Sequence, residues 1–122
     1  MATVLIVDDH PDVCRVVSRL VRTIGHRADA AHGGEPALAY LRDKVPDLII
    51  LDAMMPRVDG LQVLKSVRTD PRTRDVPVVM FTALSDPEFK RTAIEEGAND
   101  LWVKGQFNLE QFDEGIQGLL TQ

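Results

Sequence analysis

The sequence predicts an α/β domain in which five parallel strands are covered by helices on both faces. Short apolar runs of strand length alternate five times with segments whose apolar residues recur at helical spacing. The run DLIILD is continuously apolar between its acidic ends, as is typical of a strand buried on both faces of a parallel sheet. No repeat, low-complexity tract or linker divides the 122 residues, so we expect a single domain, 1–122.

In the first half of the chain, predicted strands alternate with predicted helices. Behind Pro11, apolar residues lie three and four positions apart, which is the spacing of one helix face, and Gly25 suits the end of that helix. The expected elements are a strand at 3–7, a helix from Pro11 to Gly25, a weak strand near 27–31, a helix near 35–44 and a strand at 48–51.

The second half continues the alternation, with two clear helix starts. Ser85 is followed three residues later by Glu88, with Pro87 in the first turn, and Asn108 is followed three residues later by Gln111. The expected elements are a helix near 60–69, a strand at about 78–82, a helix from the Ser85 N-cap to Gly97, a short strand in DLWVK and a final helix after Asn108.

Composition narrows the possible classes of function. The net charge of −5 and the absence of a Lys/Arg stripe argue against direct nucleic-acid binding. The apolar runs are far shorter than the roughly 20 residues of a membrane span, and the N-terminus has no signal-peptide pattern. A single cysteine, Cys14, cannot form an internal disulfide, so we expect a small buried side chain in a protein of the reducing cytoplasm.

Five polar residues stand at the carboxyl ends of the predicted strands. Asp8 and Asp9 follow the first strand, Asp52 the third, Thr82 ends the fourth and Lys104 ends the fifth. Singly, each of them is more often a turn, cap, strand or solvated residue. In a parallel sheet these strand ends share one rim, where ligands bind, so the coincidence of all five predicts a site.

The residue types at this rim predict phosphoryl chemistry. Converging carboxylates need a cation, and oxygen ligands select Mg²⁺ or Mn²⁺. His10, His26 and His32 are scattered and form no zinc pattern, and we expect His10 to be a surface or capping residue. Beside a seated metal, one aspartate can attack phosphorus, while Lys104 supplies positive charge and Thr82 a hydrogen bond.

The order and spacing of four segments, VLIVDDHPDV, PDLIILDAMMPRVDGL, VPVVMFTA and GANDLWVK, are similar to those of the receiver domains of two-component response regulators, including the chemotaxis receiver. The likeness extends over essentially the whole chain. It implies a (βα)5 flavodoxin-like fold with strand order 2-1-3-4-5.

The resemblance also implies a role for each rim residue. Asp52 would be the phosphoacceptor. The other implied roles are Mg²⁺ ligation by Asp8, Asp9, Asp52 and the backbone carbonyl of Met54, a switch hydroxyl at Thr82, a phosphate-binding lysine at Lys104, and space for the phosphoryl group beside Ala83. Pro56 and Gly60 match the loop that leaves the site.

The partners follow from the same resemblance. The phosphodonor would be a sensor histidine kinase or a histidine phosphotransfer protein, and the output would be a downstream protein or a fused output domain. The chain would be no enzyme beyond its own phosphoryl transfer and slow autodephosphorylation. We expect a monomer or a phosphorylation-dependent dimer, with no direct nucleic-acid or membrane contact.

The sequence departs from the family pattern around the lysine. Gly105 and Gln106 follow Lys104 where one proline is commoner, and we expect a trans bond there. Leu101 replaces the usual aromatic residue, so switching by an aromatic flip is excluded, and Trp102 should pack on the opposite face of its strand.

A further expectation concerns the lifetime of the phosphorylated state. The resemblance implies that the side chains of Met54 and Leu84 flank the water that hydrolyses the phosphate. Both are apolar and cannot orient that water by hydrogen bonding, which predicts slow dephosphorylation.

The main alternative is a receiver-like interaction module that acts without phosphorylation. A flavodoxin would need a Ser/Thr/Gly-rich phosphate loop after the first strand, and a phosphatase of the haloacid dehalogenase type would need D-x-D there; DDHPD supplies neither.

Overall fold

Five parallel strands form one sheet in the order β2-β1-β3-β4-β5, as the sequence predicts. The computed structural model describes residues 1–83, 86–106 and 108–121. Its elements are β1 (Thr3–Val7), α1 (Pro11–Thr23), β2 (Arg27–Ala31), α2 (Gly34–Asp43), β3 (Leu48–Leu51), α3 (Gly60–Thr69), β4 (Val78–Thr82), α4 (Pro87–Glu95), β5 (Asp100–Val103) and α5 (Leu109–Leu120).

The sheet separates two apolar cores. Because successive side chains of a strand point to opposite faces, Leu5 and Val7 of β1 enter one core, whereas Val4 and Ile6 enter the other. The first core packs under α2, α3 and α4, and the second packs under α1 and α5. Both faces of the central strands are therefore buried, which explains their continuous apolar sequence.

Most helix ends agree with the sequence prediction. Gly25 follows α1 with a φ of 98°, a conformation that favours glycine. Asn108 and Gln111 form the predicted reciprocal capping box at the start of α5. The longest helix, α1, has 13 residues, and no helix in the described ranges combines the length and apolar character needed to cross a membrane.

The start of α4 lies one residue later than predicted. Its N-cap is Asp86, whose side chain accepts a hydrogen bond from the backbone N–H of Glu88 at 3.0 Å. Pro87 explains the shift, because proline is suited to the first helical position and favours an extended conformation in the residue before it. Ser85, the predicted N-cap, lies outside the described residues.

The two residues at the centre of β5 pack on opposite faces, as expected. Leu101 is buried in the core under α4, and Trp102 is buried in the core under α5. The Trp102 ring meets Phe112 edge to face with centroids 5.8 Å apart, and its Nε1 donates to Asp100 at 3.1 Å. The predicted packing role of Trp102 is confirmed.

Candidate functional site

The two aspartates after β1 differ in burial. The backbone N–H of Asp8 donates to the carbonyl of Ala31 at 3.1 Å, which continues the β1–β2 pairing by one residue. The Asp8 residue is 2% exposed, whereas Asp9 is half-buried. Strand β1 thus delivers one fully buried carboxylate and one that is half-buried.

Asp52 is held at the same rim by the strand beside β1. Its backbone N–H donates to the carbonyl of Val7 at 2.8 Å, and the residue is 4% exposed. The following loop folds back onto α3, where the N–H of Gly60 donates to the carbonyl of Ala53 at 3.0 Å. A Cβ at Gly60 would lie 2.3 Å from the Asp52 carbonyl oxygen, so only glycine permits this approach.

The ends of β4 and β5 bring Thr82 and Lys104 to the rim. The backbone N–H of Lys104 donates to the carbonyl of Thr82 at 2.8 Å, and the Thr82 side chain is buried. The Lys104 ammonium donates to Asp8 Oδ2 at 2.7 Å and lies 3.5 Å from Asp52 Oδ1. The structure therefore brings all five predicted rim residues to the same end of the sheet.

The buried carboxylates repel one another, and Lys104 partly offsets that repulsion. Burial raises the pKa of the Asp52 carboxyl, and the negative charge of Asp8 raises it further. The ammonium of Lys104 and the backbone N–H of Met54, 3.4 Å from Asp52 Oδ1, act in the opposite direction on this pKa. The net result is a carboxylate more basic than an exposed aspartate.

The acidic cluster fits a hard divalent cation. Asp8, Asp9, His10 and Asp52 each offer one donor atom, and these atoms all lie within 4.8 Å of one another. Asp9 Oδ1 is buried and accepts no hydrogen bond from the described residues, although His10 Nδ1 lies 3.3 Å away, so a bound cation would satisfy this acceptor. Three carboxylates with an unsatisfied oxygen form the kind of donor set that Mg²⁺ or Mn²⁺ takes.

His10 lies closer to this cluster than the sequence predicts. It is exposed, as expected, but its side chain does not cap α1 although it occupies the N-cap position. Instead its backbone N–H donates to Asp8 Oδ1 at 2.9 Å, and its Nδ1 lies 3.1 Å from Asp8 Oδ1 and 3.3 Å from Asp9 Oδ1. The only sequence signal for this contact is that His10 adjoins the acidic pair.

Cys14 contacts the backbone of the turn that carries Asp8. Its buried thiol donates to the backbone carbonyl of Asp8 at 3.4 Å, and burial raises the pKa of Cys14 to about 11. The expected small buried side chain is confirmed, and it also helps to fix the turn that carries Asp8. A thiol with so high a pKa is not reactive.

The loop after Lys104 has the expected conformation. No described peptide bond is cis, and Gly105 adopts a φ of 83° that favours glycine. The N–H of Gln106 donates to the carbonyl of Val103 at 3.2 Å, which closes a tight turn. This turn keeps Lys104 directed at the carboxylates without the proline that the family pattern would supply.

Comparison with known proteins shows that this chain is similar to response regulators. The family model described as response regulator receiver domain matches residues 4–117. The DNA-binding dual master transcriptional regulator RpaA of Synechocystis is 37% identical over all of this chain and 50% of its own length. The chain thus spans about half of that relative, and 45% of the ycf27 regulator of Guillardia theta, which is 38% identical over 98% of the chain.

Solved structures give the same likeness. The chemotaxis response regulator CheY4 of Vibrio cholerae has a TM-score of 0.90 and 33% identity, covering 98% of this chain and 99% of its own. The chain thus spans nearly the full length of that structure.

Proposed function

This chain belongs to the receiver-domain family of response regulators, and from that premise we propose that it accepts a phosphoryl group on Asp52. The donor would be the phosphohistidine of a sensor histidine kinase or of a histidine phosphotransfer protein. The observation that supports this most directly is the contact of the Lys104 ammonium with both Asp8 and Asp52, at 2.7 Å and 3.5 Å, inside a cluster of three aspartates.

Asp52 is the carboxylate best suited to attack phosphorus. It is buried, and its raised pKa makes the carboxylate more basic than an exposed one. In the proposed step an Asp52 oxygen forms a bond to phosphorus while the phosphorus–nitrogen bond of the donor breaks and the imidazole nitrogen keeps the electron pair. The ammonium of Lys104, already beside Asp52, would then pair with the oxygens of the new phosphoryl group.

We propose that Asp8, Asp9, Asp52 and the backbone carbonyl of Met54 hold Mg²⁺. A bound divalent cation would neutralise charge on the phosphoryl oxygens during transfer. Asp9 Oδ1 lacks a hydrogen bond within the described ranges, so a bound cation would supply a partner for this buried oxygen. The role of the Met54 carbonyl stays a prediction, because the structure contributes only the contact of its N–H with Asp52.

The proposed consequence is a change in a protein-interaction surface. A phosphoryl group adds charge beside Thr82, at the ends of β4 and β5, and this charge would bias the chain between two conformations. The output would reach a downstream protein or a fused output domain, in the cytoplasm, with residues 1–122 acting as one domain. We predict that the chain itself makes no direct contact with nucleic acid. No comparison supports this prediction, since RpaA is named as DNA-binding and this chain spans 50% of its length.

The test is the intact mass of the protein after incubation with a small-molecule phosphodonor, with and without Mg²⁺. We expect a gain of about 80 Da, one phosphoryl group, that requires Mg²⁺ and is absent from Asp52→Asn. Asp43→Asn, which alters an exposed carboxylate at the end of α2, is the matched control and should gain the same mass as the wild type.

No gain in mass under any condition, with the fold intact, would contradict the proposal. That result would favour the phosphorylation-independent interaction module, which the aliphatic Leu101 on β5 makes the second candidate. A gain in mass that persists in Asp52→Asn would instead show that another residue accepts the phosphoryl group.

A further inference from the structure

His10 brings a ring nitrogen to the edge of the acidic cluster formed by Asp8, Asp9 and Asp52. Its Nδ1 lies 3.1 Å from Asp8 Oδ1 and 3.3 Å from Asp9 Oδ1. One donor atom from each of these four residues lies within 4.8 Å of the others. His10 occupies the N-cap position of α1, yet its side chain makes no capping hydrogen bond there. The nitrogen that faces the carboxylates is therefore not used to begin the helix.

The distances from this nitrogen match the spacing of neighbouring ligands around one cation. In an octahedron with metal–ligand bonds of about 2.1 Å, neighbouring donor atoms are about 3.0 Å apart and opposite donor atoms are about 4.2 Å apart. The two distances from His10 Nδ1 are close to the first value, and the 4.8 Å limit on the whole group is close to the second. Small shifts would therefore let one ion contact the imidazole and the carboxylates together.

Hydrogen bonds among these residues account for only part of the arrangement. Asp8 Oδ1 accepts the backbone N–H of His10 at 2.9 Å, and Asp8 Oδ2 accepts from Lys104 at 2.7 Å. Asp9 Oδ1, by contrast, is buried and has no hydrogen-bond partner among the described residues. A cation between this oxygen and the imidazole of His10 would give both atoms a partner.

We propose that His10 is a further ligand of the divalent cation, through Nδ1, and that it favours metals that accept nitrogen. The proposal rests on the proposed Mg²⁺ site of Asp8, Asp9 and Asp52, and it adds a donor type that this oxygen set lacks. Imidazole nitrogen suits Ni²⁺ and similar transition metals, whereas Mg²⁺ prefers carboxylate, carbonyl and water oxygens. With Mg²⁺, water would replace the imidazole, whose side chain is 66% exposed and can turn toward solvent.

A purely electrostatic role for His10 predicts the opposite change in metal affinity. A protonated imidazole would only offset the repulsion between Asp8 and Asp9, so its removal would tighten the binding of every cation. If the imidazole is a ligand, its removal weakens the binding of Ni²⁺ and has little effect on Mg²⁺, which does not need the nitrogen. The sign of the change and its dependence on the metal therefore distinguish the two roles.

The test is isothermal titration calorimetry of the unphosphorylated protein with Ni²⁺ and with Mg²⁺, at about pH 8, where a free imidazole is neutral. His10→Asn places an amide oxygen close to the position of Nδ1 and suits the N-cap of α1. We expect it to weaken Ni²⁺ binding about tenfold and to change Mg²⁺ binding less than about threefold. Asp9→Asn should weaken the binding of both metals, which locates them at the cluster.

The matched control is His32→Asn, because His32 is an exposed histidine outside the acidic cluster, and it should leave both affinities unchanged. Tighter binding of both metals by His10→Asn, or an unchanged ratio of the two dissociation constants, overturns the proposal. If Mg²⁺ still binds and supports phosphorylation of Asp52 in that case, the proposed function stands without it. If neither metal binds the wild type, the proposed Mg²⁺ site fails as well. Far-UV circular dichroism of each variant confirms that the fold persists.

Discussion

Replacing Gly60 with alanine tests how closely the fold controls the position of Asp52. The new Cβ would lie 2.3 Å from the Asp52 carbonyl oxygen and 2.8 Å from the Cα of Ala53, both backbone atoms that no side-chain rotation can move. Ordinary contacts need about 1 Å more, so either α3 or the loop after β3 must shift. The loop that follows Asp52, the proposed phosphoacceptor, is the less regular of the two.

The expected loss of stability is about 2 kcal/mol. Overpacking of a well-packed site costs about 1–3 kcal/mol, and contact with backbone places Gly60→Ala near the upper end. Alanine recovers up to about 1 kcal/mol because glycine is the weaker helix former. For a domain of 122 residues, this difference corresponds to a fall in Tm of roughly 8 °C.

Urea titration followed by circular dichroism measures the change in the free energy of unfolding, and intact mass measures phosphorylation. Gly60→Ala should lower both the stability and the rate of phosphorylation. Gly118→Ala, on α5 with nothing within 4 Å of the new Cβ, is the matched control and should be more stable than the wild type by about 0.5–1 kcal/mol. Equal stability changes in the two variants would refute the steric argument.

Three more predictions concern charge, packing and phosphate lifetime. Burial and a neighbouring carboxylate raise the pKa of Asp52, so the folded state binds this proton more tightly than the unfolded chain and stability falls as pH rises above the unfolded value of about 3.9. Asp52→Asn should therefore raise the urea midpoint at pH 7, with a gain that vanishes below about pH 4; a gain that is constant with pH would contradict the electrostatic cause. Gly115→Ala would place a Cβ 2.6 Å from the Trp102 ring, so we expect a destabilisation of about 1–2 kcal/mol and a shifted Trp102 emission spectrum, neither of which Gly118→Ala should show. Met54 is 64% exposed, lies two residues after the proposed phosphoacceptor and has a side chain that offers no hydrogen bond to water. Met54→Asn should therefore shorten the half-life of the phosphorylated protein, and an unchanged half-life would count against this role. Leu84, the other residue invoked for this lifetime, lies outside the described residues.

The sheet and the rim were predictable from the sequence for two reasons. The signals for strands are local, and the carboxyl ends of parallel strands lie at the same edge of a sheet. A continuous apolar run such as Leu48–Leu51 is recognisable as a buried strand, and parallel strands necessarily end at one rim. This argument places Asp8, Asp52 and Lys104 together although Asp8 and Lys104 are 96 residues apart in the chain.

The remaining details depend on distances that no sequence pattern carries. That Lys104 bonds Asp8 at 2.7 Å and lies farther from Asp52 depends on where the turn at Gly105 directs its side chain. The contact of His10 with the acidic cluster likewise depends on the angle at which α1 leaves β1. The N-cap of α4 was wrong by one residue because two adjacent residues, Ser85 and Asp86, are both good caps, and only the position of Pro87 decides between them.

The division of the interior by the sheet has a consequence for how this chain tolerates change. Residues such as Leu5 and Ile6 are neighbours in sequence but belong to different cores, and the backbone of β1 stands between their side chains. Substitutions in the two cores share no side-chain contacts, so their effects on folding free energy should add. The core under α1 and α5 can therefore change its packing without repacking the core under α3 and the loop that follows β3.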